Sequence, residues 1–350
     1  MPSDDIIALF EAAVAGNASD LLLTANTPPV LRLHGELRFL DRPPLDAEAV
    51  RKMAYAVMTD AEIAAFERDG EVDMAANVAG RRFRGNVYRQ RDALAAAFRL
   101  VPTVVPEIRA LGLPAALEDL ALVPQGFLLV TGPTGSGKST TLAAIIEHIN
   151  RHRRAHVITI EDPIEFVFAS KRSIVDQREV GRDTASFASA LRHALRETPD
   201  VIMVGEMRDM ETISAALTAA ETGHLVLATL HTGSTVQSID RIVDVFPPHQ
   251  QGQIRLQLSF TLLAVLTQKL VPRADGSGLA LGTELLRNNP AIANLIREGK
   301  SQMLAGVLET QARLGMHTMD SSLLDLYRRG VIAREEAARR MEHPQALDRS

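Results

Sequence analysis

Residues 126–150, GFLLVTGPTGSGKSTTLAAIIEHIN, decide the fold. The centre of this stretch, Gly132-Pro133-Thr134-Gly135-Ser136-Gly137-Lys138-Ser139, fits the phosphate-loop pattern G-x-x-x-x-G-K-[ST] at every fixed position. The setting fits as well. The apolar run FLLV before the motif predicts a buried strand, and residues 139–150 after it predict a helix. Glycines let successive backbone N–H groups close round phosphate oxygens, while the helix N-terminus adds positive potential. Lys138 is expected to reach the β- and γ-phosphates and the Ser139 hydroxyl to help hold Mg²⁺, with Thr140 closing the binding stretch. The expected ligands are therefore ATP and Mg²⁺.

Outward from the loop, apolar runs at residues 126–130, 156–160, 200–204 and 225–230 alternate with helical stretches. Continuous apolar runs of this kind predict parallel strands covered on both faces, the α/β class. From residue 249 onward the pattern predicts helices, broken by one strand at 279–285. In a parallel sheet, ligands sit off the carboxyl ends of the strands. After the phosphate loop, those ends carry Glu161-Asp162, Gly205-Glu206 and His231. Glu206 follows VIMVG, where the acid of the second nucleotide motif is expected to organise Mg²⁺ and its waters or the attacking water. Glu165, in EDPIEF, is the first choice for the base that orients water, and these two roles are interchangeable at this level. His231 is a candidate sensor of the γ-phosphate. His224, at the other end of the same strand, reads equally well as a satisfied core or interface histidine.

Phosphoryl transfer builds charge that a guanidinium stabilises, so arginines are the remaining ingredient. Arg192 and Arg196, four residues apart, are expected on one helix face. Arg84 and Arg99 are expected on adjacent strands nearer the N-terminus. A solvated surface role is the default for any of them.

Residues 1–100 read as a mixed α/β module. A helix is predicted over 4–15 with a stop at Gly16-Asn17, and strands over 21–23, 30–33 and 37–40, the last two joined at His34-Gly35. Helices follow over 46–58 and 60–68, then strands over 82–89 and 93–100 round Arg91-Asp92. Residues 101–114, VPTVVPEIRALGLP, hold three prolines and predict a linker, leaving 115–350 as the second domain.

Composition and local patterning bear on several classes, a nucleic-acid motor among them. Asp+Glu outnumber Lys+Arg by 43 to 38, without the basic surplus of a nucleic-acid motor. With no cysteine, neither disulfides nor cysteine-ligated zinc are available, which fits a reducing cytoplasm. The N-terminus, Met1-Pro2-Ser3-Asp4-Asp5, is acidic where a secretory signal is basic. The greasiest stretch, residues 256–266, is too short to span a bilayer and is interrupted by Gln257, Ser259 and Thr261.

Ordered blocks along nearly the whole chain resemble the type IV pilus retraction ATPases of the type II/IV secretion ATPase family. They are ASDLLLTANTPPVLRLHGELR, RFRGN, AFRLVP, GPTGSGKSTT, ITIEDPIEF, LRHALRETPDVIMVGEMRD, TGHLVLATLHT, SIDRIVDVFP, AIANLI and LGMHTMD. The resemblance implies a small PAS-like N-terminal α/β domain, a RecA-like P-loop ATPase domain with a helical C-terminal part, and a homohexameric ring. It implies nucleotide held between the two domains, surrounded by Glu165, Glu206, His231, Arg84, Arg99, Arg192 and Arg196, and it raises the standing of His224. It further implies docking to the inner-membrane platform protein of a pilus machine, at the cytoplasmic face of the inner membrane. Thr198 stands where an acidic residue is usual, Ala293 replaces the arginine of the C-terminal block associated with retraction, and Leu22 replaces a histidine. Two other readings stand beside a retraction motor. One is an assembly or secretion ATPase of the same superfamily, whose members generally carry a longer N-terminal domain and often a four-cysteine zinc element. The other is a non-catalytic accessory ring subunit.

Overall fold

The computed structural model describes residues 4–349, so Met1-Pro2-Ser3 of the acidic N-terminus lie outside the described residues. The chain divides into two compact units, Met1–Thr103 and Val104–Ser350.

The first unit opens with helix α1 (Asp4–Ala15), then strands β1 (Asp20–Leu23), β2 (Val30–Leu33) and β3 (Glu36–Phe39). Helices α2 (Ala47–Tyr55) and α3 (Asp60–Asp69) lead into β4 (Glu71–Val78), β5 (Arg81–Gln90) and β6 (Ala93–Leu100). The sheet is antiparallel throughout, in the order β3-β2-β1-β6-β5-β4. Helix α1 buries Ile6, Leu9, Phe10 and Ala13, the i, i+3, i+4, i+7 stripe of an amphipathic helix. Phe10 meets Phe83 and Phe98 edge-on at centroid distances of 4.5 and 5.0 Å, joining helix to sheet. Sequence reading missed β4: its EVDMAANV lacks the β-branched and aromatic density that marks a strand.

The second unit begins with α4 (Ala116–Ala121), β7 (Gly126–Thr131), α5 (Lys138–His152), β8 (His156–Glu161) and β9 (Ile174–Glu179). It continues through α6 (Phe187–Ala194), β10 (Val201–Val204), α7 (Met210–Glu221), β11 (Leu225–Leu230) and α8 (Thr235–Asp244). Helix α9 (Pro248–Thr261) then runs straight into β12 (Leu262–Pro272), which pairs with β13 (Leu279–Arg287). Four more helices follow: α10 (Pro290–Glu298), α11 (Leu304–Thr310), α12 (Met319–Arg328) and α13 (Arg334–Arg340). The sheet order is β13-β12-β7-β11-β10-β8-β9, all parallel except β13.

Alternation along the strands builds both layers of core. Phe127, Leu129, Ile158, Ile160, Ile202 and Val204 face the layer that includes α6 to α10, whereas Leu128, Val130, Val157, Val201 and Met203 face α4 and α5. This is why the strands read as unbroken apolar runs. Each such side chain contributes roughly 1.5–3 kcal/mol by leaving water, enough to hold the strand ends, and what they carry, in fixed register. Among the described residues no helix is long and apolar enough to cross a membrane. The greasy stretch at 256–266 is the end of α9 and the start of β12. The expectation of helix there is corrected for β12, because period-3.6 and continuous apolar runs are indistinguishable at that length.

Candidate nucleotide site

The phosphate loop joins β7 to α5 and is shaped by its own glycines. Gly132 sits at φ 145°, and a Cβ there would lie 2.5 Å from the Gln268 carbonyl oxygen and 2.6 Å from Ser136 Oγ. Only glycine fits. Gly137, at φ 86°, starts α5 without any side-chain cap, whereas Asp209 caps α7 and Ser234 caps α8. The first-turn amides of α5 are thus left for a ligand. Ser136 Oγ is buried with no hydrogen-bond partner. Lys138, only 8% exposed, donates from Nζ to the carbonyls of Gly132 at 2.9 Å and Pro133 at 3.0 Å. Burial pushes its pKa down and the negative charge of Glu206 partly restores it. An orphaned hydroxyl, uncapped amides and a buried ammonium form a donor set suited to phosphate.

Three more strand ends complete the site. After β10, Gly205 and Glu206 turn toward the loop, and Thr229 Oγ1 of β11 donates to the Gly205 carbonyl at 2.5 Å. Glu206 meets Arg208 in a two-point fork, Nε to Oε1 and Nη2 to Oε2, each 2.7 Å. His231 Nε2 lies 3.2 Å from Glu206 Oε1, while its Nδ1 lies 3.3 Å from Lys138 Nζ and 3.5 Å from Thr134 Oγ1. The Arg208 hydrogen bond above all, helped by the charge and hydrogen bond of His231, holds the Glu206 carboxyl below its ordinary range against the opposing effect of burial. Glu161, at the end of β8, behaves in the opposite way. Burial raises its pKa, despite hydrogen bonds from Thr159 Oγ1 at 2.7 Å, Gln177 Nε2 at 3.0 Å and the Glu165 amide at 3.3 Å.

A cavity of about 670 Å³ gathers these groups. Of the residues expected from sequence, Thr134, Gly135, Gly137, Lys138, Ser139, Thr140, Glu165, Glu206 and His231 line it, while Gly132, Pro133 and Ser136 form the adjoining loop. Arg192 and Arg196 do not line it. Arg192 Nη1 lies 3.5 Å from Glu211 Oε2. Helix α6 ends at Ala194, so the expectation that one helix face presents both arginines is corrected: Arg196 lies beyond the cap, its amide bonded to the His193 carbonyl. The amides of Arg196 and Glu197 bond three residues back, and Thr198 follows at φ 52° ahead of Pro199. Arg84 and Arg99 are cross-strand neighbours in the first unit, and Arg99 Nε donates to Asp20 Oδ1 at 2.9 Å. His224 precedes β11, with Nδ1 2.9 Å from the Ala219 carbonyl and 3.3 Å from Thr222 Oγ1.

Sequence reading passed over Arg208, and it named Glu161 and Asp162 at a strand end without giving them a role, although all three line the cavity. Arg208 was findable, since it stands two residues after Glu206 on the same strand-end turn. Among the described residues no cluster of three or more His, Cys, Asp or Glu side chains is arranged to hold a metal by itself. The Ser139 hydroxyl and the Glu206 carboxylate, beside a phosphate cradle, suit a hydrated Mg²⁺ bound mainly through phosphate and water.

The chain is similar to known proteins over nearly its whole length. Residues 88–322 match the family described as type II/IV secretion system protein. The chain is 46% identical over 342 residues to the type IV pilus retraction ATPase PilT of Pseudomonas aeruginosa, covering 97% of this chain and 99% of that one. It is 47% identical over 345 residues to a twitching motility protein of Neisseria gonorrhoeae, covering 98% and 92%. The fold superimposes on the crystal structure of the pilus retraction motor PilT with bound ADP at a TM-score of 0.90, with 49% identity and 99% of each chain covered. A more distant match is the ATPase DotB of Legionella pneumophila, at a TM-score of 0.74 and 28% identity over 94% of this chain and 93% of that one. The chain belongs to the type II/IV secretion system protein family, among its PilT-like ATPases.

Proposed function

We propose that this chain is the ATP-hydrolysing subunit of a hexameric motor that retracts a type IV pilus, working at the cytoplasmic face of the inner membrane against a platform protein. The observation that carries the reading is the convergence of Lys138, Glu206, His231 and Glu165 on one cavity beside the phosphate loop. Lys138 leaves the Gly132 and Pro133 carbonyls and takes up the β- and γ-phosphates, a larger charge than two carbonyl dipoles supply. Ser139 and Glu206 would hold Mg²⁺, which would supply positive charge to offset that of the phosphates. Glu165 orients the attacking water and draws its proton. His231, placed between Lys138 and Glu206, responds to the γ-phosphate and relays its loss. Arg84, Arg99, Arg192 and Arg196, none of them at the cavity wall, are the guanidinium groups that stabilise the charge of phosphoryl transfer on this reading.

Relatives named as type II secretion system protein E support a secretion reading more weakly. The Aeromonas hydrophila protein is 35% identical, but the alignment spans only 58% of it. Ala293 bears on coupling. It is 9% exposed on α10, close to the buried Ile292 and Ile296, and offers no charge to a partner. The test is complementation of a twitching-deficient strain that lacks its own retraction ATPase. The chain restores twitching and Lys138→Ala does not; pili that remain extended with the wild-type chain would contradict retraction.

A further inference from the structure

Residues 162–173 link the parallel strands β8 and β9 without a helix or strand of their own. Backbone groups in such a segment need partners from elsewhere. Around Glu165 the partners are side chains. The Ile164 amide donates to Glu179 Oε2 at 3.0 Å and the Glu165 amide to Glu161 Oε2 at 3.3 Å. The Phe168 amide donates to Gln177 Oε1 at 2.9 Å, and Gln177 Nε2 donates to the Phe166 carbonyl at 2.8 Å. The second hydrogen of Gln177 Nε2 goes to Glu161 Oε1 at 3.0 Å.

Gln177 therefore uses both its amide hydrogens and its oxygen on this one segment and on the carboxylate that anchors it. A flipped amide would set its oxygen against a carboxylate and a carbonyl and its nitrogen against an N–H, so the orientation is fixed by the network. Beyond Phe168 the segment is tied to α5 instead, by Asn150 Nδ2 to the Ala169 carbonyl at 2.9 Å and the Lys171 amide to Asn150 Oδ1 at 2.9 Å. Glu165 itself is exposed at the cavity wall. The backbone just beyond it is bound by Gln177 at two points within three residues.

We infer that Gln177 is a positioning residue of the hydrolytic reaction, holding the 164–168 segment so that the Glu165 carboxylate faces the attacking water. The inference rests on the reading of Glu165 as the base. Alanine at 177 removes all three hydrogen bonds. Glutamate keeps the shape but replaces two donors with acceptors, facing the Phe166 carbonyl and the buried Glu161 carboxylate; its protonated form regains one donor.

The test is steady-state ATP turnover of the full chain bearing Gln177→Ala, Gln177→Glu, Glu165→Gln or the Gln177→Ala/Glu165→Gln pair, with thermal midpoints on the same samples. Both Gln177 variants are expected to lower kcat by about ten- to a hundred-fold while KM for ATP stays within about two-fold. Gln177→Glu regains kcat relative to wild type as pH falls, compared only at pH values where its thermal midpoint shows it fully folded, so that recovered stability cannot account for the gain. The pair is no slower than Glu165→Gln alone. Slow Glu165→Gln beside wild-type kcat in Gln177→Glu overturns the inference and leaves the base in place, as would losses that multiply in the pair. Wild-type turnover in Glu165→Gln overturns the base and, with it, this inference. Should Gln177→Ala fail to fold, the isosteric Gln177→Glu carries the test alone.

Discussion

Arg208 and Glu206, two residues apart on one strand-end turn, close a planar fork with both contacts at 2.7 Å. The same carboxylate also receives His231 at 3.2 Å. Glu206 thus presents an oriented carboxylate at the cavity wall, its pKa held down chiefly by the Arg208 hydrogen bond. On the proposed reading, a carboxylate that is already oriented would need no reorganisation to meet a Mg²⁺ water shell.

That fork sets the first prediction. Arg208 lowers the Glu206 pKa, so the ionised form persists to lower pH than for an ordinary glutamate. Removing the guanidinium raises that pKa, and the acidic limb of the turnover–pH profile moves to higher pH. In Arg208→Ala, a limb shifted upward, with activity nearest wild type at alkaline pH, is the expected result; an unmoved limb would detach Arg208 from the ionisation of Glu206.

Gly132 offers a steric test. An alanine Cβ would meet the Gln268 backbone oxygen at 2.5 Å, and φ 145° disfavours any L side chain there. Gly132→Ala should lower stability by about 1–3 kcal/mol and abolish nucleotide binding. Urea denaturation and titration with a fluorescent ATP analogue check the two effects separately. Wild-type affinity in the variant would mean that the loop tolerates the displacement.

Much of this site was legible in the sequence because buried parallel strands and a glycine loop leave local signatures. FLLV, VITI, VIMV and LVLATL each read as a run, and their C-terminal neighbours supplied Lys138, Glu165, Glu206 and His231. Strand β9, IVDQRE, left no such trace: it lies at the sheet edge, and its polar residues serve the loop beside it. Gln177 was invisible for the same reason, since its partners lie at residues 161, 166 and 168. Strand β12 was masked by continuity with α9, because the apolar run does not change where the backbone does. Arg196 was assigned to a helix by spacing alone, whereas α6 caps at Leu195 and Arg196 falls in the turn that follows.

Glu284 carries a prediction about stability remote from the loop. From β13 it accepts the Thr235 amide and hydroxyl, both at 2.8 Å, through Oε1 and the Met319 amide at 3.2 Å through Oε2. One carboxylate thus serves the N-termini of α8 and α12, where helix dipoles favour negative charge. Glu284→Ala should destabilise the fold by about 2 kcal/mol, read as a lower urea midpoint with an unchanged slope. A midpoint equal to wild type would show that water replaces the carboxylate without cost.

Lys138 and Glu206 are expected to fail differently. Lys138→Ala removes the ammonium that takes the phosphates and should weaken ATP binding, while Glu206→Ala should still bind ATP. Equilibrium binding of a fluorescent analogue separates the two; equal loss of affinity in both would give Glu206 a share in holding the nucleotide itself.

Steady-state ATP turnover of the purified chain beside Glu206→Ala, with particle mass recorded on the same samples, tests the central claim most directly. The expected result is Mg²⁺-dependent turnover in the wild type, its loss in the variant, and hexameric mass in both. Absence of turnover in a hexameric wild type, or equal turnover in the variant, would contradict a motor driven by hydrolysis at this site.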